Sequence, residues 1–62
     1  MCEANAYIIR NGREEPIMEN VDVLQPEGDT LRLTSLFGEE KTVAGKIKSI
    51  NLVDHKIIIE EL

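Results

Sequence analysis

Apolar and polar residues alternate with a period of two along most of this chain, and turn signals cut the alternation every few residues. A period of two sends successive side chains to opposite faces of a strand. A helix needs apolar residues three and four apart, and no segment sustains that spacing. The opening stretch sets Cys2, Ala4, Ala6 and Ile8 on one face, with Glu3, Asn5, Tyr7 and Ile9 on the other. Asn11-Gly12 supplies the two residues that a type I′ hairpin turn needs at positive φ. Arg13 to Met18 then returns antiparallel, with Pro16 marking an edge or a bulge because it has no amide hydrogen. Val21 and Val23 continue the alternation as far as the Pro26-Glu27-Gly28-Asp29 turn. Thr30 to Leu36 is the clearest strand, Leu31 and Leu33 facing inward and Arg32 and Thr34 outward. After a reversal at Gly38, Lys41 to Ala44 reads as a strand ending at Gly45. Ile47 to Val53 follows, and the spacing of Ile47 and Ile50 breaks strict alternation, the mark of a bulge. Asp54-His55 turns into Lys56 to Glu61. The expected fold is all-β, a small SH3-like or Sm-like barrel of about six or seven short antiparallel strands, built as a single domain over residues 1–62.

A chain of 62 residues buries only about 60% of the surface its unfolded form exposes, so its core is marginal. Disulfides, a metal or a partner subunit usually make up the deficit. Cys2 is the single cysteine, which excludes an intrachain disulfide and leaves the other two. The apolar residues point toward a partner. Ile57, Ile58 and Ile59 cannot share one face of a strand, and neither can Ile8 and Ile9. Isoleucines left outside would form a patch of the kind that marks an interface, and a homodimer is expected on that ground. Strongly coiled strands that bury both faces are the alternative.

Charge narrows the range of partners. Twelve acidic residues against seven basic ones leave a net charge of −5. Binding to phosphates needs concentrated Lys and Arg, because counterion release supplies most of that affinity. Here the bases are scattered, and only Lys46 and Lys48 approach a patch. One Tyr, one Phe and no Trp leave little for bases to stack on. No nucleic acid is expected as a partner. Nor is a membrane: no apolar run approaches the ~20 residues that span a bilayer, and no secretory signal opens the chain. A free thiol suits a reducing compartment, so the expected location is cytoplasmic.

No enzymatic constellation is apparent. A nucleophile needs a base and an orienting group, and one Cys with one His is thin support. The carboxylates show no spacing that selects a pair, and there is no glycine-rich phosphate loop. Cys2 is the exception. Removal of Met1, which is favoured when the second residue is small, would leave an α-amine and a thiol on the same residue. Those two donors close a five-membered chelate, and the backbone amide of Glu3 adds an in-plane nitrogen. Mixed N/S donors of this kind suit square-planar Ni(II) or Cu(II) better than a closed tetrahedral zinc site. Two copies of Cys2 meeting on a dimer axis would provide an N₂S₂ set. On the residues alone, Cys2 is equally a small buried hydrophobe. His55, the only histidine, sits in a turn; it becomes a metal ligand only if the fold brings that turn near Cys2.

The segments Met1-Cys2-Glu3-Ala4-Asn5-Ala6-Tyr7, Leu36-Phe37-Gly38-Glu39-Glu40 and Leu52-Val53-Asp54-His55-Lys56-Ile57, with the Pro26-Glu27-Gly28 turn, resemble the CooT family. The resemblance runs over nearly the whole chain. It implies a small cytoplasmic nickel-binding protein, an SH3-type barrel that dimerises. It also implies a role in maturing carbon monoxide dehydrogenase, the recipient nickel enzyme. The family's nickel ligand, the cysteine after the initiator methionine, falls on Cys2 here. The alternative is a small-barrel RNA-binding or regulatory protein with a structural Cys2. That label rests on fold analogy, a weak warrant for function, and the charge balance opposes it.

Overall fold

The computed structural model describes residues 4–61. Five strands follow one another in chain order: β1 Ala4–Arg10, β2 Arg13–Glu27, β3 Thr30–Ser35, β4 Glu40–Asn51 and β5 Lys56–Glu61. Each pairs antiparallel with the next, and β5 closes the ring by lying parallel to β1, Asn5 opposite Lys56 through Ile9 opposite Glu60. The result is the expected all-β barrel. Among the described residues no helix is long and apolar enough to cross a membrane.

Five strands stand where six or seven were expected, because two of them are long and serve two neighbours each. β2 pairs with β1 through Arg13–Met18 and again at Val21, then with β3 through Val21–Glu27. Asn20, with φ of 55°, and register shifts on both sides of Val21 bend it between the two. The shift also turns Val23 outward, 46% exposed, against the alternation in the sequence; Leu24 packs on the core instead. β4 likewise runs straight through Gly45, pairing with β3 up to Ala44 and with β5 from Gly45 onward. Gly45 is a crossing point, not an end. A Cβ there would lie 2.6 Å from the Glu60 carbonyl oxygen, so only glycine lets the two backbones come so close. The bulge expected after Ile47 is present, in the register shift between Ile47 and Ser49.

The hairpin at Asn11-Gly12 forms as its residue types demand, with φ of 51° and 75° and Arg10 paired to Arg13. Inward-facing residues from all but β4 build the core: Ala6, Ile8, Met18, Val21, Leu31, Leu33, Ile57 and Ile59. Ile58 does face away from that cluster, but Tyr7 of β1 and Ser49 of β4 flank it and it is only 9% exposed. Ile8 is buried and Ile9 half-buried. The isoleucines assigned to a dimer patch are thus largely covered within one chain, since coiling lets neighbouring strands close over the outer face. Large apolar side chains are exposed elsewhere: Leu36 and Phe37, Ile47 and Ile50, and Leu52 and Val53.

Candidate functional site

Cys2 and Glu3 lie outside the described residues. The structure does show what surrounds the strand that follows them. β1 begins at one end of the barrel, where the β3–β4 and β4–β5 turns also lie, and backbone hydrogen bonds tie the three together. The Asn5 amide donates to the His55 carbonyl oxygen at 2.8 Å. The Asn5 side-chain oxygen accepts from the Asn20 amide at 3.2 Å. The Asn20 carbonyl in turn accepts from the Leu36 amide at 2.9 Å. Asn5 thus links both turns, the β4–β5 turn directly through its backbone amide and the β3–β4 turn through its side chain and the bend of β2.

The β4–β5 turn owes its shape to Asn51, whose side-chain oxygen accepts from the amides of Val53 and Asp54, both at 3.0 Å. His55 closes the turn at φ of 53°, a left-handed conformation uncommon for residues other than glycine, among which Asn, Asp and His adopt it most often. Its imidazole is exposed. The turn reaches the backbone of Asn5 at the start of β1; whether it approaches Cys2, the condition set by the sequence, lies outside the described residues. Among the described residues no group of three or more His, Cys, Asp or Glu side chains gathers that could hold a metal. Any such centre therefore needs donors from outside them.

The β3–β4 turn is built on Ser35, the one buried polar side chain of the described residues. Its hydroxyl accepts from the amides of Phe37 and Glu39, both at 3.1 Å. Its own amide donates to the Glu39 carbonyl at 2.8 Å, and its carbonyl accepts from Gly38 at 3.1 Å. Ser35→Ala would strand both amides, at a cost of about 1–3 kcal/mol. Thermal melts are expected to show a loss of that size, with faster amide exchange confined to residues 36–40.

Around the side of the barrel, Lys56 places its ammonium 4.9 Å from the centre of the Tyr7 ring and against the Glu14 carboxylate. The hydrogen bond to Glu14 raises the lysine's pKa, with burial opposing it. A raised cation pKa stabilises the fold below the unfolded value and loses that contribution only as pH climbs past the folded one. The lysine's contribution is therefore present at neutral pH and is lost as pH rises through its raised folded pKa. The contact joins β5 to β1 and β2 at the residue that pairs with Asn5.

Sequence reading picked out Cys2, Glu3 and His55, and passed over Asn5, Asn20 and Ser35. Asn20 carried a faint signal, since asparagine tolerates positive φ. Asn5 and Ser35 carried none, because their roles depend on partners 15 residues away for Asn5 and on a turn folding back for Ser35.

Comparison with known proteins adds three matches. The family described as CO dehydrogenase accessory protein CooT matches residues 1–60. An uncharacterized protein of Methanocaldococcus jannaschii is 42% identical over 60 residues, which cover 97% of this chain and 98% of that protein. A crystal structure provisionally assigned as CooT from Carboxydothermus hydrogenoformans superposes with a TM-score of 0.90 at 43% identity, covering 98% of both chains.

Proposed function

The chain belongs to the CooT family of CO dehydrogenase accessory proteins, and from that premise we propose that it carries Ni(II) as cargo, held through Cys2, for an enzyme of the CO dehydrogenase type. The family is one of accessory proteins, so the chain is not itself the catalyst. The observation that supports the metal reading is the hydrogen bond from the Asn5 amide to the His55 carbonyl. It brings the only histidine of the chain to the strand that leads from Cys2. Three residues of chain span at most about 11 Å, which bounds how far Cys2 can lie from Asn5, the residue bonded to the His55 turn.

In this reading Met1 is removed, and the α-amine and thiolate of Cys2 chelate the ion. The Glu3 amide supplies a further nitrogen, and His55 lends a weaker, more easily released contact. Thiolate with nitrogen donors fits Ni(II). A site at a barrel end can surrender its ion more readily than a closed cage, and the acidic surface attracts a divalent cation. The protein works in the cytoplasm as a homodimer. Support for the dimer comes from the small core and from Ile47 and Ile50, 36% and 51% exposed on the second half of β4. Sedimentation equilibrium at tens of micromolar tests that part, with a monomer counting against it.

The main test is calorimetric titration of Ni(II) into protein whose intact mass shows that it starts at Cys2, beside the same protein carrying an N-terminal tag. The tag turns the amine into an amide, so binding is expected to weaken sharply and to weaken further in acid, as protons compete for the donors. Equal affinity in the two forms sinks the chelate. His55→Gly gives a cleaner probe of the imidazole than alanine does, because glycine takes φ of 53° without strain. Its melting temperature is expected to hold or rise slightly, while nickel binding weakens by much less than on loss of the thiol.

A further inference from the structure

Of the segments that carry the family resemblance, Leu36-Phe37-Gly38-Glu39-Glu40 supplies none of the metal donors proposed above, yet it is the most tightly organised turn of the barrel. Phe37, the only phenylalanine, is 78% exposed and Leu36 beside it 40% exposed. Flexibility does not explain that exposure, since Ser35 pins the turn on both sides of Phe37. The backbone that presents this aromatic side chain is already ordered, so binding carries no cost of ordering the loop. Such side chains dominate the energetics of protein interfaces.

The surroundings are acidic. Phe37 stands on the rim of a groove of about 390 Å³ between the turn and residues Pro16–Asn20 of β2. Glu19 and Glu39 line that groove, and Glu40 follows in the chain. None of the three is ion-paired among the described residues. Lys41, the one basic residue on the groove, has its ammonium on the Ile17 carbonyl at 2.9 Å. Pro16 and that lysine also block the edge of β2 against an added strand. Recognition here runs through side chains and charge.

We propose that the Leu36–Glu40 turn is the element that docks on the recipient enzyme, Phe37 entering an apolar socket rimmed by lysine or arginine. This rests on the reading of the chain as a carrier. The turn lies at the barrel end where β1 begins, tied to it through Asn20 and Asn5. Docking there brings the enzyme to the end that follows Cys2. Leu52 and Val53, 80% and 88% exposed, lie on the β4–β5 turn, which is bonded to the start of β1 as well.

The test is docking of purified, nickel-free CO dehydrogenase to the immobilised protein. Phe37→Ser is expected to weaken docking by about tenfold or more while leaving the melting temperature and the nickel titration unchanged. Glu39→Lys with Glu40→Lys is expected to slow association and flatten its salt dependence. Cys2→Ser is expected to dock normally. The proposal is overturned if Phe37→Ser docks like wild type, or if wild type does not dock at all. It is equally overturned if Phe37→Ser converts a dimer to monomers, which would put a second copy on this turn. Docking through Phe37 by a protein that fails to bind nickel would support the docking element and overturn the carrier reading instead.

Discussion

Replacing Cys2 by serine is expected to leave the barrel folded and to lower Ni(II) affinity by about a hundredfold or more. A serine hydroxyl stays protonated at neutral pH, so the chelate keeps its amine and loses its anionic, soft donor. The thiolate-to-metal absorption should vanish with it. In this reading the thiol serves the metal and not the core, so the stability of the fold should hardly change. Circular dichroism, a melting curve and a nickel titration on the same sample separate the two effects. A Cys2→Ser protein that binds nickel as wild type does, with the same spectrum, would move the site to His55 or the carboxylates.

The largest effect on stability is expected at Gly45. Its Cβ would meet the Glu60 carbonyl oxygen at 2.6 Å and the Ile59 side chain at 3.0 Å. The carbonyl cannot retreat, since Gly45 and Lys46 pair with Glu61 and Glu60 in the β4–β5 ladder. A chain of this size has about 3–9 kcal/mol in hand, and forcing atoms into a filled space costs about 1–3 kcal/mol or more. Gly45→Val should therefore lower the melting temperature by about 5–20 °C or leave the chain unfolded. Gly28→Ala is the control, because nothing lies within 4 Å of its Cβ although φ is +62°. There the loss should stay near 1 kcal/mol, the cost of the backbone conformation alone. Equal losses at the two glycines would mean that the crossing is not close.

Local chemistry was legible wherever it decided structure by itself. The hairpin at Asn11-Gly12, the inward faces of Leu31 and Leu33, and the bulge after Ile47 all follow from residue type and spacing. The strand count did not follow, because a glycine inside a strand and a glycine ending one look alike until the partner strand is known. Gly45 had the first role and was read in the second. The phase change that sends Val23 outward depends on the conformation of Asn20, which alternation cannot reveal. The burial of Ile58 depends on two strands distant in sequence closing over it. Of the candidate site, residue types pointed to Cys2 and His55. The link between the ends of the chain came only with the β1–β5 pairing, because parallel pairing across the whole chain leaves no mark in local sequence.

That pairing also governs the order of events in folding. Arg10 and Glu61, which meet across it, are 51 residues apart. Until β5 has been synthesised, β1 has no parallel neighbour and β4 lacks a partner from Gly45 onward, so both present open backbone edges of the kind that templates aggregation. Closure must await the longest loop in the molecule, which slows folding relative to a chain of local hairpins. A version permuted so that β5 precedes β1 would need a crossover linker, because the two strands are parallel, and would pass the end-to-end closure to the β4–β5 ladder, so it should fold no faster.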